Sequence, residues 1–257
     1  MTLEPVIAAG PVALGEGVPL VLLHPLGVDH GFWSPVLPAL GTGPVVLVDL
    51  PGHGHSPRPD RPYGVADVAV ALTRVLRAAG YTRVHVVGAS LGGLVAQALA
   101  AADPSLVDHL VLVDTVAVYP EAQRVVWRDR AQRVAAPTDA LPDPLPEIAD
   151  QTVRAWFDDT ASAAAAATRT ALLGVDRLGY ALTCTALAGA DVRGTTAGIR
   201  HPTLVVCGRG DAPAFTDAAS WLHAVVPGSR LGWLPGRHAA PVEHPALFAE
   251  QLGAFLS

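Results

Sequence analysis

Short apolar runs that do not alternate with polar residues restrict the fold of this chain most strongly. Five such runs occur, each five to seven residues long and rich in Val and Leu. Strands buried on both faces show this pattern, whereas strands with one face in water alternate. Helical patterns separate the runs, which predicts an α/β fold with a mostly parallel central sheet covered by helices. The predicted strands are 18–23, 44–50, 84–88, 110–114 and 202–208, and the predicted helices are 65–79, 91–102, 215–226 and 245–255.

The segment 119–200 interrupts this alternation, because it contains helical patterns but no strand-like run. We expect one domain, 1–257, in which residues 119–200 form a helical cap (lid) insert. The length of 257 residues suits a single domain of this type. A Pro-rich stretch, 137–146, divides the insert. Its predicted helices are 121–134, 145–157, 161–173 and 180–187.

The composition excludes several classes of protein. Hydrophobic residues make up 51% and charged residues 16%, which excludes a disordered chain. The net charge of −6 argues against nucleic-acid binding. Neither a membrane-spanning run nor a signal peptide is visible, and two cysteines, Cys184 and Cys207, do not make a disulfide scaffold. We therefore expect a monomer or homodimer in the cytoplasm, without membrane or nucleic-acid partners.

The sequence Gly-Ala-Ser-Leu-Gly at residues 88–92 matches the pattern G-x-S-x-G. It lies directly between a predicted strand and a predicted helix. In that context the serine occupies a sharp turn, and the two glycines let strand and helix approach each other closely. Ser90 is therefore the candidate nucleophile.

A serine hydroxyl needs a base to become a good nucleophile, and the base needs an acid to orient it. In this architecture the partners follow the serine in the order acid, then histidine. Asp211 follows the predicted strand 202–208, and His238 lies on a loop past one further strand. We predict that Ser90, Asp211 and His238 are the catalytic residues.

Each partner of Ser90 has a rival in the sequence. Asp114 ends an earlier strand and could supply the acid, because the position of the acid varies among such enzymes. His244 lies six residues past His238 and could supply the base, although it stands at the start of a helix.

Acyl transfer also needs donors directed at the developing oxyanion. The backbone N–H of Leu91, at the start of the helix after Ser90, is one candidate. The second is the N–H of Leu26, on the loop after the first predicted strand, because the preceding Pro25 has no N–H.

A second loop, Gly-His-Gly-His-Ser at residues 52–56, contains two histidines. Its spacing supplies no third metal ligand, so a tight structural turn is the favoured interpretation. We expect no metal and no organic cofactor.

These motifs together are similar to those of the α/β-hydrolase family, over the whole chain. The matching pieces are residues 24–27 (His-Pro-Leu-Gly), 49–56 (Asp-Leu-Pro-Gly-His-Gly-His-Ser), 88–93 (Gly-Ala-Ser-Leu-Gly-Gly), 208–211 (Gly-Arg-Gly-Asp), and His238 followed by 243–245 (Glu-His-Pro). The resemblance implies the fold and the three catalytic residues but not a substrate.

Within that family the insert most resembles the 3-oxoadipate enol-lactonases. Residues 127–130 look like the Trp-x-x-Arg of that group, and residues 156–157 like its Trp-Phe pair. Further matches are Leu-Gly-Val-Asp at 26–29 and Gly-Tyr at 179–180. Pro51 and Leu91 stand where the lactonases usually have Arg and Met.

The resemblance implies a carboxylate-bearing enol-lactone as substrate, from aromatic-acid breakdown through the β-ketoadipate route. A carboxylate needs a cation in the site, and Arg128, Arg130 and Arg133 lie in the insert. Arg130 and Arg133 are three residues apart on one helix and should share a face. The expected substrate-binding residues are Trp127, Arg130, Arg133 and Trp156.

Other functions remain open for the same motifs. A general carboxylesterase, a carbon–carbon bond hydrolase and a cofactor-free perhydrolase would share the triad. A non-catalytic ligand-binding relative would share the fold alone. Haloalkane dehalogenases and epoxide hydrolases are disfavoured, because they have Asp at the position of Ser90.

Overall fold

The structure of the protein, a computed structural model, describes residues 3–12, 17–41, 43–136 and 142–257. Part of the Pro-rich stretch predicted at 137–146 therefore lies outside the described residues. The strands are β1 (Val6–Val12), β2 (Leu20–Leu23), β3 (Val45–Asp49), β4 (Val84–Ala89), β5 (Val107–Val113), β6 (Thr203–Gly208) and β7 (Arg230–Leu234).

All seven strands form one sheet in the order β1-β3-β2-β4-β5-β6-β7. Across the sheet, every neighbouring pair from β3 through β2, β4, β5 and β6 to β7 is parallel. The edge strand β1 pairs antiparallel with β3. The predicted fold class is confirmed, and the five predicted strands correspond to β2 to β6. The edge strand β7 (Arg-Leu-Gly-Trp-Leu) lacks the continuous apolar run of the interior strands, and in β1 (Val-Ile-Ala-Ala-Gly-Pro-Val) Gly and Pro interrupt it.

Both faces of the sheet are buried, as the non-alternating runs predict. Val21 and Leu23 of β2 belong to one hydrophobic cluster, and Leu20 and Leu22 belong to a second. Because neighbouring residues of a strand point to opposite faces, the two clusters cover the two sides of the sheet.

Helices cover both clusters. The first includes residues of α1 and α2, and the second includes residues of α10. No helix among the described residues is long and apolar enough to cross a membrane. The helices are α1 (Val65–Ala78), α2 (Leu91–Ala102), α3 (Glu121–Ala135), α4 (Leu145–Trp156), α5 (Ala163–Gly174), α6 (Arg177–Gly189), α7 (Arg193–Ala197), α8 (Pro213–Val225), α9 (Ala240–Glu243) and α10 (Pro245–Leu256).

The end of α1 shows how a local signal sets a boundary. Gly80 has φ of 89°, a left-handed conformation that glycine adopts without strain. Its N–H donates to the carbonyl of Arg77 (3.0 Å), and the Tyr81 N–H donates to that of Leu76 (3.0 Å). These two bonds form a Schellman motif, which satisfies carbonyls that the helix end leaves free.

Between β5 and β6 the described residues form five helices, α3 to α7. The described residues of 119–200 contain no strand of the central sheet; one isolated bridge joins Val118 to Asp191. Four of these helices correspond to the predicted ones within a few residues at each end. The fifth, α7, is a single short turn that apolar periodicity did not reveal.

Two glycines allow α2 to pack directly against the sheet. A Cβ atom at Gly92 would overlap the carbonyl oxygen of Leu23, and one at Gly88 would overlap that of Gly92. Backbone atoms cannot move aside as the end of a flexible side chain can. The motif therefore requires glycine at both positions for packing, whatever Ser90 does.

We expect Gly92→Ala to destabilise the protein by about 1–3 kcal/mol or more, because the added methyl group would overlap backbone atoms of Leu23. The matched control is Gly253→Ala in α10, where a Cβ meets nothing within 4 Å. That control should stabilise the helix by about 0.5–1 kcal/mol. Urea unfolding of both variants measures the difference, and equal stabilities would contradict this account of the packing.

Candidate active site

Ser90 lies on a strained turn between β4 and α2. Its φ is 52° and its ψ is −111°, a conformation that costs a non-glycine residue about 1–3 kcal/mol. Two hydrogen bonds hold the turn: the Ser90 N–H donates to the Val113 carbonyl (2.9 Å), and the Thr115 hydroxyl donates to the Ser90 carbonyl (2.6 Å). Strain of this kind is concentrated at functional sites.

Asp211 and His238 meet at the same edge of the sheet. Asp211 follows β6 and His238 follows β7, and the His238 Nδ1 is 2.7 Å from the Asp211 Oδ2. The other carboxylate oxygen accepts the backbone N–H of Ala212 (2.7 Å). Both acidic and imidazole side chains are almost fully buried, so water competes little for this bond.

The environment of His238 favours its protonated form. Burial alone lowers the pKa of His238, but the charge of Asp211 and its hydrogen bond outweigh burial and raise that pKa above 6.5. A more basic imidazole is a stronger proton acceptor. The rings of Trp156 and Phe215 lie 5.1 and 4.3 Å from the imidazole, centroid to centroid, and limit its movement.

The rival acid, Asp114, has a different environment. It is buried, and its Oδ1 accepts the Gly208 N–H (2.8 Å). Its Oδ2 has no hydrogen-bond partner among the described residues. Burial, reinforced by the negative charge of Asp211, raises the pKa of Asp114 well above its ordinary value. Asp114 is therefore harder to ionise than an ordinary carboxyl group, and among the described residues the hydrogen bond of His238 goes to Asp211, which favours Asp211 as the acid.

The rival base, His244, lies at the start of α10, and its backbone N–H donates to the Ala240 carbonyl (2.9 Å). It is not among the residues that line the cavity containing Ser90. His238 is, so the geometry favours His238.

One cavity of about 350 Å³ contains Ser90, Asp211 and His238 on its wall. Among the described residues, no hydrogen bond joins the Ser90 hydroxyl to His238. Hydrogen bonds between nucleophile and base are often long before substrate binds. The three side chains therefore share one site. In this site the hydrogen bond between Asp211 and His238 is already formed.

The two predicted oxyanion donors lie at this site. Leu26 lines the cavity, and Leu91 begins α2 next to Ser90. Neither backbone N–H donates to an acceptor among the described residues. The loop before Leu26 is fixed by His24, whose Nε2 accepts the Leu50 N–H (2.9 Å) and whose Nδ1 lies 2.7 Å from the Pro25 carbonyl.

Three of the four expected substrate-binding residues line the cavity, namely Trp127, Arg130 and Trp156. Arg130 lies over the Trp127 ring at 5.0 Å, and its Nη1 is 3.4 Å from the Tyr180 hydroxyl. No carboxylate forms an ion pair with Arg130 among the described residues. This cation therefore faces the cavity without an anionic partner.

The structure does not bring Arg133 to the cavity. Arg133 pairs with Glu147 of α4 (2.7 Å), and Arg128 pairs with Glu121 at the start of α3 (2.5 Å). Both guanidinium groups lie at the surface. The spacing of Arg130 and Arg133 therefore did not predict which arginine lines the cavity: Arg130 does, whereas Arg133 pairs with Glu147 outside it.

Besides Tyr180, which entered only as part of a family match, sequence reasoning missed Tyr119 and Phe215 as aromatic residues of the cavity. Tyr119 follows β5 and is buried, with edge-on contacts to Trp127 and Phe215. Burial raises the pKa of Tyr119, so its hydroxyl is neutral. Phe215, in the first turn of α8, lies four residues after Asp211. The position of both just beyond a strand that ends at the site was the available signal.

The loop at residues 52–56, which contains two histidines, is a turn held by hydrogen bonds to Asp49. The carboxylate of Asp49 accepts the backbone N–H groups of His30 and His55, both at 2.8 Å. Its backbone carbonyl accepts the Ser56 hydroxyl (2.6 Å). These bonds support the interpretation of residues 52–56 as a structural turn.

Comparison with known proteins assigns the chain and its fold to one family. The family described as alpha/beta hydrolase fold matches residues 18–183. The chain belongs to the α/β hydrolase family. The match covers Ser90 and most of the helices between β5 and β6.

The similarity to enol-lactonases is confirmed at modest identity. The chain is 27% identical over 243 residues to 3-oxoadipate enol-lactonase 1 of Acinetobacter baylyi, covering 92% of this chain and 88% of that protein. The crystal structure of the enol-lactonase from Burkholderia xenovorans LB400 has a TM-score of 0.86 at 28% identity, covering 94% and 92%. A putative carbamate hydrolase, RutD, of Shigella flexneri is 30% identical, covering 89% of this chain and 87% of that protein.

The raised pKa of Asp114 predicts how the free energy of unfolding depends on pH. The pKa of Asp114 is higher in the folded state than the ordinary 3.8. The contribution of this group to the free energy of unfolding is therefore fully present below pH 3.8, and it is lost as the pH rises through the folded-state pKa. We expect wild-type unfolding free energy to decline by at most about 1.4 kcal/mol per pH unit in this window from this group. Asp114→Asn removes that decline.

Unfolding free energies of the wild type and Asp114→Asn, measured at several pH values, test the prediction. The difference between them should grow in favour of the Asn variant as the pH increases. Parallel curves would show that Asp114 ionises normally.

Proposed function

We propose that this protein is a serine hydrolase of carboxylic esters and lactones, and that 3-oxoadipate enol-lactone is its substrate. The observation that carries the choice of a lactone with a carboxylate is Arg130, a cation facing the cavity without an anionic partner among the described residues. Membership of the α/β hydrolase family and the similarity to enol-lactonases support the same choice.

In the proposed reaction Ser90 attacks the lactone carbonyl and His238 accepts the hydroxyl proton. Asp211 orients the imidazole and stabilises the imidazolium. The backbone N–H groups of Leu26 and Leu91 stabilise the oxyanion, since neither has another acceptor among the described residues. Collapse of the tetrahedral intermediate breaks the ring C–O bond, and His238 returns the proton to the leaving enol oxygen.

The second half of the reaction repeats these roles. His238 takes a proton from water, which attacks the acyl-enzyme carbonyl and forms a second oxyanion. Collapse of that intermediate breaks the bond to Ser90, whose oxygen regains the proton from His238. The released enol becomes the ketone, so the net reaction consumes one water and gives the open-chain dicarboxylate.

Arg130 would bind the substrate carboxylate that does not react. Its contact with the Trp127 ring and the Tyr180 hydroxyl fixes the guanidinium at the wall of the cavity. A charge-assisted hydrogen bond of this kind contributes about 1.5–3 kcal/mol. The rest of the wall is largely aromatic, which suits a flat lactone ring.

Residues 119–200 would act as a cap over the site. Trp127 and Arg130 belong to α3, Trp156 to α4 and Tyr180 to α6, and all four line the cavity with Ser90. In this proposal the insert supplies the substrate pocket, while the sheet supplies the reacting groups.

A general carboxylesterase is the second candidate. The aromatic wall formed by Trp127, Trp156 and Phe215 would also accept a neutral acyl group. The two candidates differ in their demand for a negative charge on the substrate, which Arg130 makes testable.

We expect Ser90→Ala to lower kcat for enol-lactone hydrolysis by about 10⁴-fold or more, because the nucleophile is lost. It should also abolish labelling by a fluorophosphonate probe. The matched control is Ser220→Ala on the exposed side of α8, which should retain both activities. Unchanged turnover in Ser90→Ala would remove Ser90 from the mechanism, and a wild-type chain that neither labels nor turns over ester would indicate a binding protein.

Arg130→Gln should lower kcat/KM for 3-oxoadipate enol-lactone by about 10- to 100-fold, since a charge-assisted bond is lost. The effect on neutral p-nitrophenyl acetate should be much smaller. Arg133→Gln is the matched control and should leave kcat/KM for the lactone unchanged. Equal losses on lactone and neutral ester in Arg130→Gln would favour the carboxylesterase.

A further inference from the structure

The pairing of β4 with β5 contains an irregularity far from Ser90. Val84 pairs with Val107 and Val86 pairs with Leu110, so one residue of β4 faces two residues of β5. The single residue is His85, and the two opposite it are Asp108 and His109. Bulges are rare between parallel strands, and they redirect side chains that would otherwise alternate between the two faces.

This bulge brings three potential ligands together. The Nδ1 atoms of His85 and His109 lie 3.3 and 3.2 Å from the same oxygen, Oδ2 of Asp108. The three ligand atoms all lie within 4.8 Å of one another. The two imidazole rings are 4.9 Å apart and nearly perpendicular, so both can direct Nδ1 to one point.

Both Nδ1 atoms lack a hydrogen bond within the part of the chain that the structure describes. Both Nδ1 atoms are hidden from solvent, yet neither has a partner with hydrogen-bond geometry among the described residues. The contrast is His30, whose Nδ1 does hydrogen-bond to Asp49 (3.0 Å). Buried polar atoms are almost always paired, so two unpaired nitrogens beside one carboxylate need an explanation.

A bound metal ion would explain why these two nitrogens are unpaired. Zinc binds imidazole nitrogen and carboxylate oxygen at about 2.0–2.2 Å, and in a tetrahedron these bonds place neighbouring ligand atoms about 3.3 Å apart. The two measured separations match that value. We propose that His85, Asp108 and His109 bind a divalent transition-metal ion of the zinc class, with water as the fourth ligand.

The surroundings suit such a site. Arg83 pairs with the other oxygen of Asp108, which leaves Oδ2 for the metal and orients the carboxylate. A cavity of about 240 Å³ bordered by His85, Leu20 and Gly253 gives a path to the surface.

The position of the site indicates a structural role. His85 is five residues before Ser90 along β4, about 16 Å in an extended strand, so the metal would lie near the opposite edge of the sheet. His109 also contacts the Phe255 ring edge-on at 5.3 Å. A metal there would fasten β4 to β5 next to α10 without entering the hydrolytic reaction. We predicted no metal from the sequence, because His85 and His109 are far apart in the chain and the bulge brings them together.

The test uses the untagged full-length chain, stripped with a chelator and titrated with Zn²⁺ in a calorimeter. We expect one Zn²⁺ per chain and a higher Tm with metal than without. His109→Ala should weaken binding by at least about 100-fold, beyond the 10–100-fold that loss of an outer-shell partner costs. Co²⁺ should give the visible bands of a tetrahedral complex in the wild type and not in the variant.

Two further variants keep the test decisive. Asp108→Asn keeps the shape of the side chain and should also lose the site if His109→Ala folds poorly. His55→Ala, in the hydrogen-bonded cluster around Asp49, should bind Zn²⁺ as the wild type does. Ester hydrolysis by His109→Ala should match the wild type. Absence of binding in the wild type, or equal affinity in wild type, His109→Ala and Asp108→Asn, would overturn the proposal.

Discussion

The parallel pairing of β2 to β7 is the constraint on which the candidate site depends. Parallel strands all end at the same edge of the sheet, so the residues that follow β4, β6 and β7 meet there although they are far apart in the chain. Ser90, Asp211 and His238 occupy those three positions. The glycines that flank Ser90 then allow α2 to begin directly against the sheet, with its first N–H groups beside the serine.

Electrostatics distinguishes two carboxyl groups that the sequence leaves nearly equivalent. Asp114 and Asp211 follow neighbouring strands, and each could serve as the acid. Asp211 bonds to His238 and to a backbone N–H, whereas Asp114 is more deeply buried and lies beside the charge of Asp211. Asp211 therefore has the contacts that stabilise a negative charge beside the imidazole, whereas burial and the neighbouring charge make Asp114 harder to ionise.

The arginines of α3 show the limit of reasoning from periodicity. Helical spacing placed Arg130 and Arg133 together, but packing separates them. Arg130 lies over Trp127 at the cavity, and Arg133 pairs with Glu147, a residue that the sequence places fourteen positions away on another helix. The bulge between β4 and β5 is a second case, since no local pattern reveals that Asp108 and His109 both face His85.

Reading along the chain was enough to predict the α/β class, the five interior strands, the main helices and the three residues proposed for catalysis. Burial on both faces, glycine in tight turns and the order of motifs can all be recognised without knowing any distance in the fold. Three-dimensional packing was needed to show which acid bonds to His238, which arginine faces the cavity, and where the edge strands β1 and β7 add to the sheet. Those outcomes depend on distances between residues remote in the chain, and such distances follow from packing rather than from any pattern of neighbouring residues.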